Sequence, residues 1–195
     1  MPLPKIAIVT VSDRASAGTY QDLSGPAIFD WLKEAVLPPF EVVCRLIPDG
    51  ADSVATTLQA LCDVEHCSLI LVTGGTGPAP RDQTPEGVSL IAERHLPGFG
   101  ETMRRANLAE VPTAILSRQE AVTRGASLII TLPGKPAAIA TSLNAVFAAV
   151  PYCLDLIGAA RIETNPDVIA AFRPKGHEFP FRQIDAHQPS GAGGC

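Results

Sequence analysis

The chain has 195 residues, 46% of them hydrophobic, and a formal net charge of −5. Those values fit one domain with one sizeable core, and the interspersed charges exclude the clustered Lys and Arg that a nucleic-acid surface demands. The apolar stretches are strand-sized, short of the roughly 20 residues of a bilayer span, and the N-terminus lacks the basic region and apolar core of a secretory signal. A cytoplasmic protein without membrane attachment is expected.

Taken in chain order, strands and helices alternate. Residues 6–11 form an apolar run suited to a central strand. Ser24 is placed to cap a helix with Pro26 in its first turn, and Ile28, Phe29, Leu32, Ala35 and Val36 recur at helical spacing. Pro38-Pro39 stops that helix. Residues 41–47 read as a second strand, closed by the turn signature Pro48-Asp49-Gly50. A helix beginning at Asp52 or Ser53 turns Val54, Ala55, Leu58, Leu61 and Cys62 inward, and residues 69–73 form a third strand. Helices are predicted over 86–93 and 101–109 around the breaker Pro97-Gly98. Residues 121–124 and 128–132 read as a hairpin, and Ile139, Leu143, Val146, Phe147 and Val150 mark a strongly amphipathic helix. This pattern is an α/β fold, a three-layer sandwich with a mostly parallel central sheet, helices on both faces and a small hairpin element in the second half. A domain over 1–173 and a mobile, Pro- and Gly-rich tail over 174–195 are expected.

The five cysteines, at 44, 62, 67, 153 and 195, are odd in number and mostly sit in apolar patterns. Core thiols in a reducing compartment account for them. Cys62, His66 and Cys67 have neither the spacing nor the second ligand pair of a zinc site.

The most informative segment is LILVTGGTGPAPRDQTP at 69–85. A buried strand breaks into Gly74-Gly75-Thr76-Gly77, where absent Cβ atoms let the backbone turn sharply and approach a ligand. Arg81 and Asp82 follow, then Gln83-Thr84-Pro85-Glu86, the start of a helix. Such a strand end offers N–H groups and a guanidinium to phosphate, and a carboxylate to a metal ion. GxxxxGK[ST] and GxGxxG are both absent, which argues against a kinase and an ordinary dinucleotide oxidoreductase. Ser12, Asp13, Arg14 and Ser16 after the first strand, Asp49 after the second and Pro133-Gly134-Lys135-Pro136 after a later one sit at equivalent positions. Each alone is an ordinary turn or cap. Gathered beyond the carboxyl ends of one parallel sheet, they form a site for something phosphorylated.

In order, VSDRASAG at 11–18, RLIPD at 45–49, TGGTGPAPRDQTP at 73–85, PGFGE at 97–101, AILSR at 114–118 and LPGKP at 132–136 resemble the motifs of the molybdenum-cofactor biosynthesis family. That family includes molybdopterin adenylyltransferases and the G domains of gephyrin and its plant counterpart. The resemblance covers residues 5–173 and is closer to the adenylyltransferase branch. It implies that Mg-ATP and molybdopterin give adenylylated molybdopterin and pyrophosphate, before metal insertion into the cofactor. Asp49 and Asp82 match the family's two functional aspartates. Asp82 is expected to coordinate Mg²⁺, and Asp49 to bind the metal or orient the reacting phosphate. Gly74, Gly75, Thr76 and Gly77 are expected to cradle a phosphate with help from Arg81 and Thr84. Ser12, Asp13, Arg14 and Ser16 would line the pocket, with Pro133, Gly134, Lys135 and Pro136 near nucleotide or pterin and Ser117 and Arg118 as further contacts. Kinship also implies a homotrimer and hand-over of product to a molybdenum insertase. A paralogue that binds molybdopterin without adenylylating it is the alternative, although the intact aspartate pair argues against it. A scaffold lacking catalysis is a third reading.

Overall fold

The computed structural model describes residues 3–175; the expected tail from 176 onward, with Cys195, lies outside the described residues. Among the described residues, six strands form one sheet in the order β2-β1-β3-β6-β5-β4. β1 (Lys5–Val11), β2 (Glu41–Ile47), β3 (Leu69–Thr73) and β6 (Ser127–Leu132) run parallel, while β5 (Ala121–Arg124) and the two-residue β4 (Arg94–His95) add an antiparallel edge. The central strands are continuous apolar runs because both of their faces are covered. All five residues of β3 are buried.

Period-two alternation divides the core into two layers. Ile6, Ile8, Leu69, Leu71, Leu128 and Ile130 point to one face, under α2 (Ser24–Ala35), α5 (Pro97–Leu108), α6 (Pro136–Val146) and α7 (Val150–Leu156). Ala7, Val9, Ile70, Val72 and Ile129 point to the other, under α3 (Ala51–Gln59) and α4 (Thr84–Ile91). On the first face the fully buried Phe147 meets Trp31 edge-on at 4.7 Å between ring centres, and the Trp31 indole N–H donates to Asn144 Oδ1 at 2.9 Å.

The expected hairpin and the strands at 41–47 and 69–73 are present. Several boundaries differ, each for a local reason. Ser24 is the first residue of α2 rather than its cap, because Asp22 Oδ1 accepts the N–H groups of Ser24 at 2.9 Å and Gly25 at 3.1 Å. Phe29, placed on the inward face by spacing, is exposed because the buried stripe is narrower: Ile28, Leu32 and Ala35. α3 opens at Ala51, after Gly50, and continues as a π-helical turn, Ala60–Val64, that keeps Leu61 and Cys62 inward. α4 starts earlier than predicted, with Pro85 in its first turn, and ends at Ile91 ahead of β4. Pro97-Gly98 opens α5 instead of breaking a helix, since a proline in the first turn forfeits no helical hydrogen bond. Cys44 is exposed rather than in the core, because β2 is an edge strand.

α6, a short 3₁₀ turn (Phe147–Ala149) and α7 form one apolar helical run, Pro136–Leu156, of 21 residues, longer than the strand-sized stretches expected. Its Ile139, Leu143, Phe147, Val150 and Leu154 are buried in the first core layer, so the run has the character of a core helix.

The register positions the site. Thr10 pairs with Thr73 and Thr73 with Leu132, so β1, β3 and β6 end on one line and their loops emerge together.

Candidate active site

Four loops meet at that edge. After β1, Ser12 caps α1 (Asp13–Ser16), its Oγ accepting the Ala15 N–H at 3.2 Å. Asp13 and Asp49 cap each other across loops: Asp13 Oδ1 accepts the Asp49 N–H at 3.0 Å, and Asp49 Oδ2 accepts the Asp13 N–H at 3.3 Å. The β2 loop is thereby locked to the β1 loop.

After β3 the chain turns through Gly74 (φ +99°) and Gly75 (φ +62°). A Cβ on Gly74 would lie 2.3 Å from the Val11 carbonyl oxygen, and one on Gly75 2.4 Å from Thr84 Oγ1, so neither position has room for a side chain. Thr84, fully buried, holds this turn from behind, donating its hydroxyl to Gly74 O at 2.8 Å and its N–H to Gly75 O at 3.1 Å. Further on, the Ala79 N–H donates to Asp82 Oδ2 at 3.1 Å and the Asp82 N–H to Ala79 O at 2.8 Å. After β6, Pro133 O accepts the Thr73 hydroxyl at 2.8 Å and Gly134 O the Ser24 hydroxyl at 2.9 Å.

These loops enclose a cavity of about 410 Å³. Among the residues expected from sequence, Ser12, Asp13, Arg14, Asp49, Gly74, Gly75, Arg81, Asp82, Gly134, Lys135 and Pro136 line it. Ser16, Thr76, Gly77, Thr84, Pro133, Ser117 and Arg118 stand outside the wall. Ser16 turns its hydroxyl to Asp13 O, and Ser117 turns its own to Gln119. Arg118 lies behind the 77–82 loop, bonded to the carbonyls of Gly77 and Asp82 and to Glu86.

Sequence reasoning missed Thr10, Tyr20, Asp22, Leu23 and Ser24, which also line the cavity. Thr10 carries a readable signal, the strand-end position matched by Thr73. Asp22 carries none, because the contact of its carboxylate with the Thr10 hydroxyl (2.8 Å) is a tertiary one that the local sequence does not show.

The cavity holds both signs of charge. Asp13, Asp22, Asp49 and Asp82 each accept a backbone N–H. Arg14, Arg81 and Lys135 make no ion pair among the described residues; Arg14 lies 4.9 Å over the Tyr20 ring. No group of three or more His, Cys, Asp or Glu side chains is placed to hold a metal among the described residues. Among the described residues the wall offers carboxylates without thiol or imidazole. That donor set fits Mg²⁺, which takes one or two carboxylates and completes its shell with phosphate and water oxygens.

The family model described as "Probable molybdopterin binding domain" matches residues 7–152. The chain belongs to that family. A molybdopterin adenylyltransferase of Haemophilus influenzae is 50% identical over 185 residues, covering 89% of this chain and 94% of its own length. One from Helicobacter pylori is 51% identical over 170 residues, covering 87% of this chain and 97% of its own. Among solved structures, the molybdopterin biosynthesis Mog protein from Mycobacterium ulcerans superposes with a TM-score of 0.73 at 34% identity, covering 79% of this chain and 99% of that one. The motifs read from the sequence therefore lie in a molybdopterin-binding domain of α/β fold.

Proposed function

We propose that the protein transfers the adenylyl group of Mg-ATP to molybdopterin, releasing pyrophosphate, and that residues 1–173 are its catalytic unit. The observation that carries this reading is the cavity at the ends of β1, β3 and β6, where three cations without carboxylate partners among the described residues face a glycine turn and Asp49 and Asp82. About half identity to adenylyltransferases over most of the chain supports it.

In the reaction an oxygen of the terminal phosphate of molybdopterin forms a bond to the α-phosphorus of ATP. The bond from that phosphorus to the bridging oxygen breaks, and pyrophosphate leaves with the electron pair. A phosphate monoester is nucleophilic near neutral pH, so the protein's task is alignment and charge neutralisation more than proton transfer. Gly74 and Gly75 bring bare backbone to the cavity, and Arg81, Arg14 and Lys135 supply positive charge to phosphate oxygens. Asp82 would hold Mg²⁺ together with those oxygens, and Asp49 would share the metal or orient the attacking phosphate. When bound, that ion would offset the charge of the converging phosphates. Ser12 and Asp13 complete the wall beside Arg14. Thr84 supports the turn from behind, and Thr76 and Gly77 offer their carbonyls to Arg118. A homotrimer, a cytoplasmic setting and hand-over to a molybdenum insertase complete the reading.

The test is pyrophosphate release from Mg-ATP by purified protein, with and without fresh molybdopterin. Molybdopterin-dependent release that a chelator abolishes is the expected result. Molybdopterin binding without release would overturn it in favour of a binding-only paralogue.

A further inference from the structure

Arg118 has a task that its distance from the cavity conceals. It lies between a 3₁₀ turn, Pro112–Leu116, and β5. Its backbone N–H donates to Thr76 O at 2.8 Å and its Nε to Gly77 O at 3.0 Å. Nη2 donates to Asp82 O, and Nη1 to Glu86 in the first turn of α4. One planar guanidinium thus grips both ends of the 77–82 loop and the helix that follows. A rigid fork with donors on three nitrogens suits that arrangement. Arg81 and Asp82, the loop's contributions to the cavity wall, both belong to the gripped span.

The Glu86 ion pair cannot be the main purpose of this arrangement. Its side chains are 38% and 50% exposed, and pairs so open to solvent contribute little. The bonds to Gly77 and Asp82 are the distinctive ones, since they set where the loop's two ends lie.

We infer that Arg118 is a positioning residue for adenylylation: by clamping both ends of the loop, it fixes Asp82 and Arg81 relative to the Gly74–Gly75 turn. This rests on the function proposed above. Arg118 touches no substrate in this scheme and acts through the loop.

The test compares R118K and E86Q with the wild-type protein. Lysine keeps the charge, but its single ammonium cannot bridge two carbonyls and a carboxylate in one plane. R118K should lower kcat by about 10- to 100-fold, the scale of a misplaced catalytic group, and should raise the Mg²⁺ concentration giving half-maximal rate. E86Q keeps both loop bonds and should stay within about twofold of wild type. Independently of turnover, amide hydrogen exchange at Ala79 and Asp82 should accelerate in R118K while the amides of β3 stay protected.

Unchanged exchange at those two amides, or an unchanged kcat and Mg²⁺ dependence in R118K, would overturn the inference. A wild-type protein that releases no molybdopterin-dependent pyrophosphate overturns the functional reading instead, and the exchange measurement then still decides whether the clamp exists.

Discussion

Asp82 uses one carboxylate oxygen to accept the Ala79 N–H, a bond that an asparagine carbonyl can also make. Asp82→Asn should therefore keep the loop and the melting temperature while losing charge at the metal. Adenylylation is expected to fall by roughly 100-fold or more, the scale on which loss of preorganised electrostatic stabilisation is felt. A purified variant with near wild-type turnover would remove Asp82 from the metal site. The thiols offer a second check at this scale. Burial pushes Cys67 up to about 11, so its protonated form is the one the fold favours. The stability this contributes is intact below the ordinary thiol range and is lost as pH rises towards that value. Urea midpoints should drop between about pH 8 and about pH 10.5, and drop less in Cys67→Ala. In native protein Cys44, exposed on β2, should take up a thiol reagent while Cys62 and Cys67 do so only after unfolding, a contrast that peptide mapping reads directly. At this scale Asp49, Asp82 and Arg81 were legible because each follows a strand end. Arg118 was legible as a residue of interest but not in its role, since nothing local to AILSR says which carbonyls its guanidinium meets.

At the scale of elements, the turn after β3 is the most constrained. Gly74→Ala would bring a methyl to the Val11 carbonyl, the point where β1 and β3 run side by side. Either the turn moves or the two strands part, so the variant should lose stability by about 1–3 kcal/mol and most of its activity. Thermal denaturation with the pyrophosphate assay checks both. A stable, fully active Gly74→Ala would mean that the turn adapts without cost. The sequence made β1, β3, β6 and the hairpin readable because a strand buried on both faces has little choice but to be apolar throughout. β4 was not readable, because two residues without an apolar pattern form a strand only when β5 is there to pair with them. Helix starts shifted for a related reason. Side-chain caps such as Asp22 act from outside the helix, and prolines such as Pro97 open helices as readily as they end them.

The whole molecule is stabilised by two apolar layers around one sheet, and Phe147 is the largest fully buried side chain of the first. Phe147→Ala should cost about 3–5 kcal/mol, through lost burial and the space left beside Trp31. Chemical denaturation gives that value, and a cost below 1 kcal/mol would show that the layer refills the space. The same layering explains the site. Chain segments leaving β1 run to α2 on one face and those leaving β3 to α4 on the other, which opens the crevice where the order of strands reverses. The reciprocal bonds of Asp13 and Asp49, with the backbone ties of Asp22 and Asp82, give that crevice a further property. Its acidic half is anchored to the main chain before any ligand arrives, whereas Arg81 and Lys135 stand on long side chains with no ion pair among the described residues. A polyanion in the crevice would break no such pair to reach these cations, whereas the carboxylates of the rim are already committed to backbone donors. Capture should therefore respond to ionic strength, while the final alignment should rest on the anchored carboxylates.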